Sequence, residues 1–375
     1  MLQRAPTDQK LNVMVATPSG GRGQGGVDRV MAALRDELAR GSGIRARFLS
    51  SRGSGHVAFS PFFAIAFCLR LAFARCFGRV DVVHINIASH GSSYRKMLIA
   101  ACARRLGIPY VLHLHGAEYK EFWASLHPFL GSLVKRFFEG AAHVIVLGRV
   151  WRDFVASRAP AMADRITVVP NATGVPTLPH LGGGDSVHIL FLGRIGDRKG
   201  VPQLGEALLR MKGLPGWRAT IAGDGAVEAA RARAAEIGLL DRVAIPGWVG
   251  PDDVALLLAQ ADVLVLPSFA ENLPVSVIEG MAAGLAIVAT PVGAVEDIVA
   301  DEQTGLLVPP GDVDALTAAL TRLVVDEPLR TRLGQAALAV HRERLDLPPF
   351  AASIADIWRA AARSRTRDLA VERGR

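Results

Sequence analysis

Residues 268–290 read Ser-Phe-Ala-Glu-Asn-Leu-Pro-Val-Ser-Val-Ile-Glu-Gly-Met-Ala-Ala-Gly-Leu-Ala-Ile-Val-Ala-Thr. Pro274 suits the first turn of a helix, where its missing N–H costs nothing, and Gly284 suits the stop. Apolar runs at Asp262–Leu266 and Ala286–Ala289 flank this helix as strands. A strand–helix–strand unit of this kind builds a parallel sheet. Glu271 falls in the loop before the helix and Glu279 one to two turns inside it. The free N–H groups of a helix start, with its dipole, attract an anion. A diphosphate therefore fits between two carboxylates that accept hydrogen bonds from sugar hydroxyls on either side. The same spacing also suits a Glu271 that only complements the helix dipole and a Glu279 that is merely solvated.

The alternation extends in both directions. Strands are expected at Lys10–Thr17, Arg45–Ser50, Val80–Ile87, Tyr110–Leu114 and His143–Leu147, with helices at Val27–Arg40, Tyr94–Leu106 and Phe122–Gly140. Pro170–Ser186 holds three prolines and four glycines and reads as a hinge. The cycle then restarts with strands at Val187–Leu192, Arg218–Ala222 and Val243–Ile245, each followed by a helical pattern. Late helices are expected near 312–324, 328–338 and 348–363, with a frayed Arg-rich tail from Arg363. These patterns predict an α/β protein with two doubly wound domains: 1–178, 179–346, and a last helix at 347–375 that crosses back to the first.

With 375 residues, 50% hydrophobic and 21% charged, the chain is no disordered polymer. Three cysteines and no CxxC make neither a disulfide scaffold nor a structural zinc site. Reduced thiols and a cytoplasmic location are expected. The N-terminus MLQRAPTDQK lacks the apolar core of a signal peptide. The longest uncharged apolar run, Val57–Leu69, is too short to span a bilayer. Charge is lopsided, at +13 over residues 1–180 and −5 over 181–375. A basic first half points to an anionic partner, or to a solvated Arg-rich surface. Nothing resembles a nucleic-acid motif, so nucleic acid is not an expected partner.

Gly21-Arg-Gly-Gln-Gly25-Gly26 fits G-x-G-x-x-G. An NAD site would show an acid at the end of the second strand, but Arg45–Arg52 has none. An NADP-dependent oxidoreductase stays open, because arginines can hold a 2′-phosphate. The other use of such a loop is to bring backbone N–H groups against a phosphate.

After Val187–Leu192 comes Gly193-Arg194-Ile-Gly-Asp-Arg-Lys199-Gly200. The Arg fork and the Lys point charge can together neutralise a leaving diphosphate. The chain resembles the retaining glycosyltransferases of the GT-B fold, in the large family 4 group. The resemblance runs over most of the chain. It rests on Gly25-Gly26, His115-Gly116, Pro170-Asn171, Gly193-Arg194…Lys199-Gly200, Gly223-Asp224-Gly225, and Glu271 with Glu279 as E-x7-E. His113–Glu118 and Glu271–Pro274 also look similar to enzymes of bacterial exopolysaccharide and surface-glycan assembly.

The resemblance implies two Rossmann-like domains facing across a cleft, with a nucleotide-sugar donor mostly on the second and the acceptor on the first. Glu279 would hold the ribose. Glu271 would hold hydroxyls of the transferred sugar, aided by backbone N–H groups near Asn272 and Leu273. Arg194 and Lys199, at the Gly193 turn, would stabilise the departing diphosphate. Gly25-Gly26 would approach the phosphates, His115 would lie near the sugar, and Trp248-Val249 would contact the base. The reaction implied is transfer with retention, needing neither a metal nor another cofactor. A nucleotide-sugar-binding protein without catalysis stays open. His113 and His115 are read as facing opposite sides of their strand, which gives no metal cluster. His84 reads as a structural histidine. Phe59, Phe62, Phe63, Phe67, Phe73 and Phe77 read as lining a buried helix. Arg70, Arg75 and Arg79 interleave with them, as in an interfacial helix. That pattern, with the +13 half, suggests peripheral docking on an anionic inner membrane and a glycan or polyprenyl-diphosphate-linked acceptor.

Overall fold

The ten segments read as strands all form strands in the computed structural model, which describes residues 10–20, 25–41, 43–53, 59–182 and 184–373, with side chains through 363. The start of the chain (1–9), the Gly21–Gln24 part of the glycine cluster, and 57–58 of the apolar run lie outside the described residues. The chain divides into two compact units, Met1–Pro170 with Leu347–Arg375, and Asn171–Asp346.

The first unit is built on β1 (Leu11–Thr17), β2 (Ile44–Ser50), β3 (Val82–Ile87), β4 (Tyr110–Leu114), β5 (His143–Val146) and β6 (Ile166–Val168). They form one parallel sheet in the order β2-β1-β3-β4-β5-β6. Its helices are α1 (Gly26–Ala39), α2 (Ser60–Cys76), α3 (Gly91–Arg105), α4 (Tyr119–Ala124), α5 (Pro128–Glu139) and α6 (Arg149–Arg158). Every residue of β3 and β4 is buried, as expected of strands covered on both faces. The single helix expected over Phe122–Gly140 is two. His127 precedes a proline and is extended, with ψ 144°, so the helix stops and restarts at Pro128. The order reverses beside β1, where successive crossovers leave a crevice at the carboxyl ends of β1 and β3.

The phenylalanines of α2 depart from the expectation of a buried helix. Ala64, Phe67, Leu71 and Ala74 form the buried stripe. Phe59, Phe62, Phe73 and Phe77 are 57–66% exposed, and Ile65 and Leu69 are exposed with them. A helix apolar on all sides buries only the face that meets its neighbours, here α3 and β2.

The second unit carries β7 (Val187–Leu192), β8 (Trp217–Ala222), β9 (Val243–Gly247), β10 (Val263–Leu266), β11 (Ala286–Ala289) and β12 (Leu306–Leu307). They are again parallel, in the order β12-β11-β10-β7-β8-β9. This is the dinucleotide-fold order, which reverses between β7 and β10. Its helices are α7 (Val201–Arg210), α8 (Val227–Glu236), α9 (Pro251–Gln260), α10 (Val275–Ala282), α11 (Val313–Val325) and α12 (Glu327–Val340). The last helix, α13 (Leu347–Arg373), belongs to the first unit, where buried Trp358 donates from Nε1 to His84 Nδ1 at 3.0 Å. It does not fray at Arg363. No glycine or proline interrupts the segment from there to Arg373, and its Ala and Arg residues favour helix.

Candidate functional site

In the second unit the loops after β7 and β10 emerge from adjacent strands at the point where the order reverses. The crevice at the carboxyl ends of such strands is where open α/β sheets hold ligands. After β7, the chain makes a turn at Asp197–Lys199 and then Gly200 takes φ +69° to start α7. A side chain on Gly200 would collide with the Pro267 carbonyl. That close approach ties the two loops, as do Phe269 N–H to Arg198 O and Arg198 Nη1 to Ala270 O, both 2.9 Å. The result is an ion pair between Lys199 Nζ and Glu271 Oε1, with side chains only 14% and 9% exposed. Sequence reading assigned these two residues separate tasks; the structure joins them.

Pro274 is the N-cap of α10 rather than a residue inside its first turn, with extended ψ 125° and no side-chain cap. The free N–H groups of α10 therefore have no capping side chain. Glu279 lies at the fifth residue of the helix, and Gly284 ends it with φ +75°. The loop ahead of α10 is held from behind. Buried Asn171 donates from Nδ2 to Leu273 O at 2.9 Å, and Ala294 N–H donates to Asn272 O at 2.8 Å. Glu271, Asn272 and Leu273 are all buried. The junction residue Asn171 thus supports the loop, a role that only its place 102 residues from Leu273 conceals in the sequence.

Arg194 sits elsewhere in this crevice. Its Nη1 pairs with Asp224 Oδ2 at 3.5 Å, and both side chains are well exposed. The loop after β7 and the loop after β8 are zipped together. Ile195 N–H donates to Asp224 O at 2.6 Å, and Ala226 N–H to Ile195 O at 2.9 Å. Gly223, at φ +153°, lies so close to the Gly193 carbonyl that no side chain fits. Half-exposed Trp248 and partly buried Val249 follow β9 on the way to α9.

In the first unit, Gly25 caps the start of α1 with an extended backbone and open space where a side chain would lie. Gly26 is the first residue of that helix and is exposed. His115 follows β4, and its Nε2 lies 2.8 Å from Asn86 Oδ1. Asn86 Nδ2 donates to Ala16 O at 3.2 Å, which turns its Oδ1 toward the imidazole. Nε2 of His115 therefore carries the proton and Nδ1 is left as an acceptor. Burial first, and then the charge of His84, lower the His115 pKa to about 3. The ring is neutral at physiological pH.

His113 does not face away from His115. Residues two apart on a strand share a face, and the two rings stand 4.0 Å apart. His84, one strand over, meets His113 edge-on at 5.3 Å. Burial lowers His84 to about 4, and burial with its two neighbouring histidines holds His113 well below the usual range. His84 is structural, as read: it accepts from Trp358. Among the described residues, no group of three or more His, Cys, Asp or Glu side chains could hold a metal ion.

The second unit thus has a Lys–Glu pair at the strand-order reversal of a parallel doubly wound sheet, the place where such sheets hold ligands. Residues 182–340 match the family model described as glycosyl transferases group 1, and residues 24–174 match glycosyltransferase family 4. The chain is 31% identical over 281 residues to a phosphatidyl-myo-inositol mannosyltransferase of Mycobacterium leprae, covering 68% of this chain and 74% of that one. Its fold is similar to a sucrose-phosphate synthase of Thermosynechococcus elongatus, with TM-score 0.75 and 19% identity over 93% of this chain and 98% of that one. It is also similar to Anabaena HepE in complex with UDP and glucose, with TM-score 0.71 and 17% identity over 92% and 98%. The chain belongs to the group 1, family 4 glycosyltransferases, and its two sheets are those of the GT-B architecture. The oxidoreductase reading of the glycine cluster falls with this.

Proposed function

We propose that the protein is a retaining glycosyltransferase that moves a sugar from a nucleotide-diphosphate donor to a glycan or lipid-linked acceptor in surface-polysaccharide synthesis. The observation that carries the proposal is the Lys199–Glu271 pair beside the uncapped start of α10. The diphosphate lies over the α10 N-terminus, where backbone N–H groups and the helix dipole favour negative charge. Glu279 accepts from the ribose hydroxyls. Glu271 accepts from hydroxyls of the transferred sugar, and its pairing with Lys199 sets the cation next to the bond that breaks. Lys199 and Arg194 stabilise the negative charge that grows on the leaving phosphate. Gly193 keeps its loop close, Asn272 and Leu273 present backbone N–H groups, and Val249 meets the base. The bond from the anomeric carbon to the phosphate oxygen breaks as the acceptor hydroxyl oxygen bonds the same face. The hydroxyl proton passes to the departing phosphate.

From the first unit, Gly25 and Gly26 offer backbone N–H groups to phosphate. His115 offers its neutral Nδ1 as an acceptor for a sugar hydroxyl. The exposed apolar face of α2 suits an anionic membrane surface. Residues 40–117, the stretch that includes α2, hold eleven basic and one acidic side chain, a balance that suits anionic headgroups. Among the described residues no helix is long and apolar enough to cross a membrane.

The test is a panel of UDP-, GDP- and ADP-sugars read by thermal shift and by release of nucleoside diphosphate. One donor series should raise Tm by mass action and be turned over. Glu279→Ala should abolish the shift, and Glu271→Ala should abolish turnover. No stabilisation by any donor would overturn the proposal.

A further inference from the structure

The crevice of the first unit holds a second charged arrangement that the donor chemistry does not use. Lys96, on the second turn of α3, is 1% exposed, and its ammonium donates to Ser51 Oγ. Ser51 Oγ in turn donates to Thr17 O at 2.7 Å, which fixes this contact at the carboxyl ends of β1 and β2. The chain neighbours of the two bonded residues are both arginines, Arg52 and Arg95. Arg95 Nη1 donates to Ser60 Oγ at 3.1 Å, so its guanidinium lies between the starts of α2 and α3, the positive ends of two helix dipoles. Its Nε–H is buried and has no hydrogen-bond partner among the described residues.

Among the described residues, Lys96, Arg95 and Arg52 form no ion pair. Asp28, on α1, faces Lys96 and already accepts from Ser19 N–H at 3.2 Å. Asp81, the one acid between residues 40 and 117, accepts from Asn12 N–H at 2.8 Å. Burial, with Arg95 beside it, lowers the Lys96 pKa to about 7, and Arg52 adds to the burial that lowers Arg95. The charge of Arg52 acts against that of Arg95, and the charge of Arg95 against that of Lys96, and a multiply charged anion bound beside the Arg95 guanidinium would relieve that repulsion.

We propose that Arg95 and Arg52, over the buried ammonium of Lys96, bind a phosphate or diphosphate group of the acceptor. This deepens the reading of the first unit as the acceptor-binding one and rests on it. Because Ser60 opens α2, a lipid joined to that phosphate would run along the exposed face of Phe62, Ile65, Leu69 and Phe73. The phosphate chemistry is the same whether a lipid or a soluble phosphorylated glycan supplies it.

Inorganic pyrophosphate is titrated calorimetrically, at fixed ionic strength, into the full chain carrying Arg194→Ala and Lys199→Met, which removes the two cations assigned to the donor diphosphate. Binding is expected, weakened ten-fold or more by Arg95→Gln and also weakened by Arg52→Gln. Both substitutions lie on at least partly exposed side chains. Lys96→Met is compared only after its circular dichroism matches the parent. Phosphatidylcholine vesicles with phosphatidic acid are then added as competitor. Displacement of pyrophosphate assigns the site to a lipid phosphate, and its absence assigns it to a soluble one. No binding, or binding indifferent to both arginine substitutions, overturns the proposal. The donor reading is read separately, by nucleotide-sugar binding to the wild type, so either can fail while the other stands.

Discussion

Replacing Lys199 by Met and Glu271 by Gln, singly and together, separates what the ion pair does for the fold from what it does for the reaction. The two side chains are 14% and 9% exposed. Removing one partner leaves the other charge poorly solvated, which costs about 3 kcal/mol. In a unit of this size that lowers Tm by roughly 6–12 °C. In the double variant neither charge remains, so most of that loss returns. Activity behaves otherwise. If Lys199 stabilises charge that develops only as the donor bond breaks, Lys199→Met lowers kcat by roughly 100- to 1000-fold, with a smaller change in KM. The double variant stays as inactive as the worse single one. Calorimetry and nucleoside diphosphate release on the same four proteins check both. Recovery of activity along with Tm, or stability losses that simply add, would refute the reasoning.

Asn86→Leu removes the acceptor that fixes the His115 tautomer; kcat should fall on the order of ten-fold, with less change in donor affinity by titration. The lowered pKa values of His84, His113 and His115 make the folded state resist protonation. Their contribution is complete above about pH 6.5 and is lost as pH falls toward 4; at pH 5 each costs about 2 kcal/mol. A Tm–pH profile should drop steeply over that window, and less so for His84→Gln. Gly223→Ala pushes a side chain into the Gly193 carbonyl and should destabilise the second unit by about 3 kcal/mol, read by denaturant midpoint. Phe62→Glu and Phe73→Glu, on the exposed face of α2, should each weaken cosedimentation with anionic vesicles by roughly ten-fold or more while leaving Tm unchanged.

Much of the architecture was legible because strands buried on both faces are continuous apolar runs, and each segment read as a strand became one, while the longest apolar run became helix α2. The two that escaped notice, Ile166–Val168 and Leu306–Leu307, are three and two residues long, too short to carry a pattern. Pro128 announced the break between α4 and α5, and a strict reading of the residue before proline would have found it. The exposed side of α2 was hidden because a helix apolar all round offers no periodicity to choose a face. The facing of His113 and His115 was in the sequence all along, since a period of two puts them together. At the candidate site, Glu271 and Glu279 were visible as a spacing. The pairing of Lys199 with Glu271, 72 residues apart, was not, because it depends on β7 and β10 being neighbours. The same holds for Asn86 and His115, brought together by the register of β3 on β4.

The most direct trial of the donor assignment is a crystal of the protein grown with an unhydrolysed nucleotide-sugar. The account requires the pyrophosphate over the first turn of α10, the ribose within hydrogen-bond reach of Glu279, and the sugar against Glu271. A donor seated away from α10, touching neither glutamate, would contradict it.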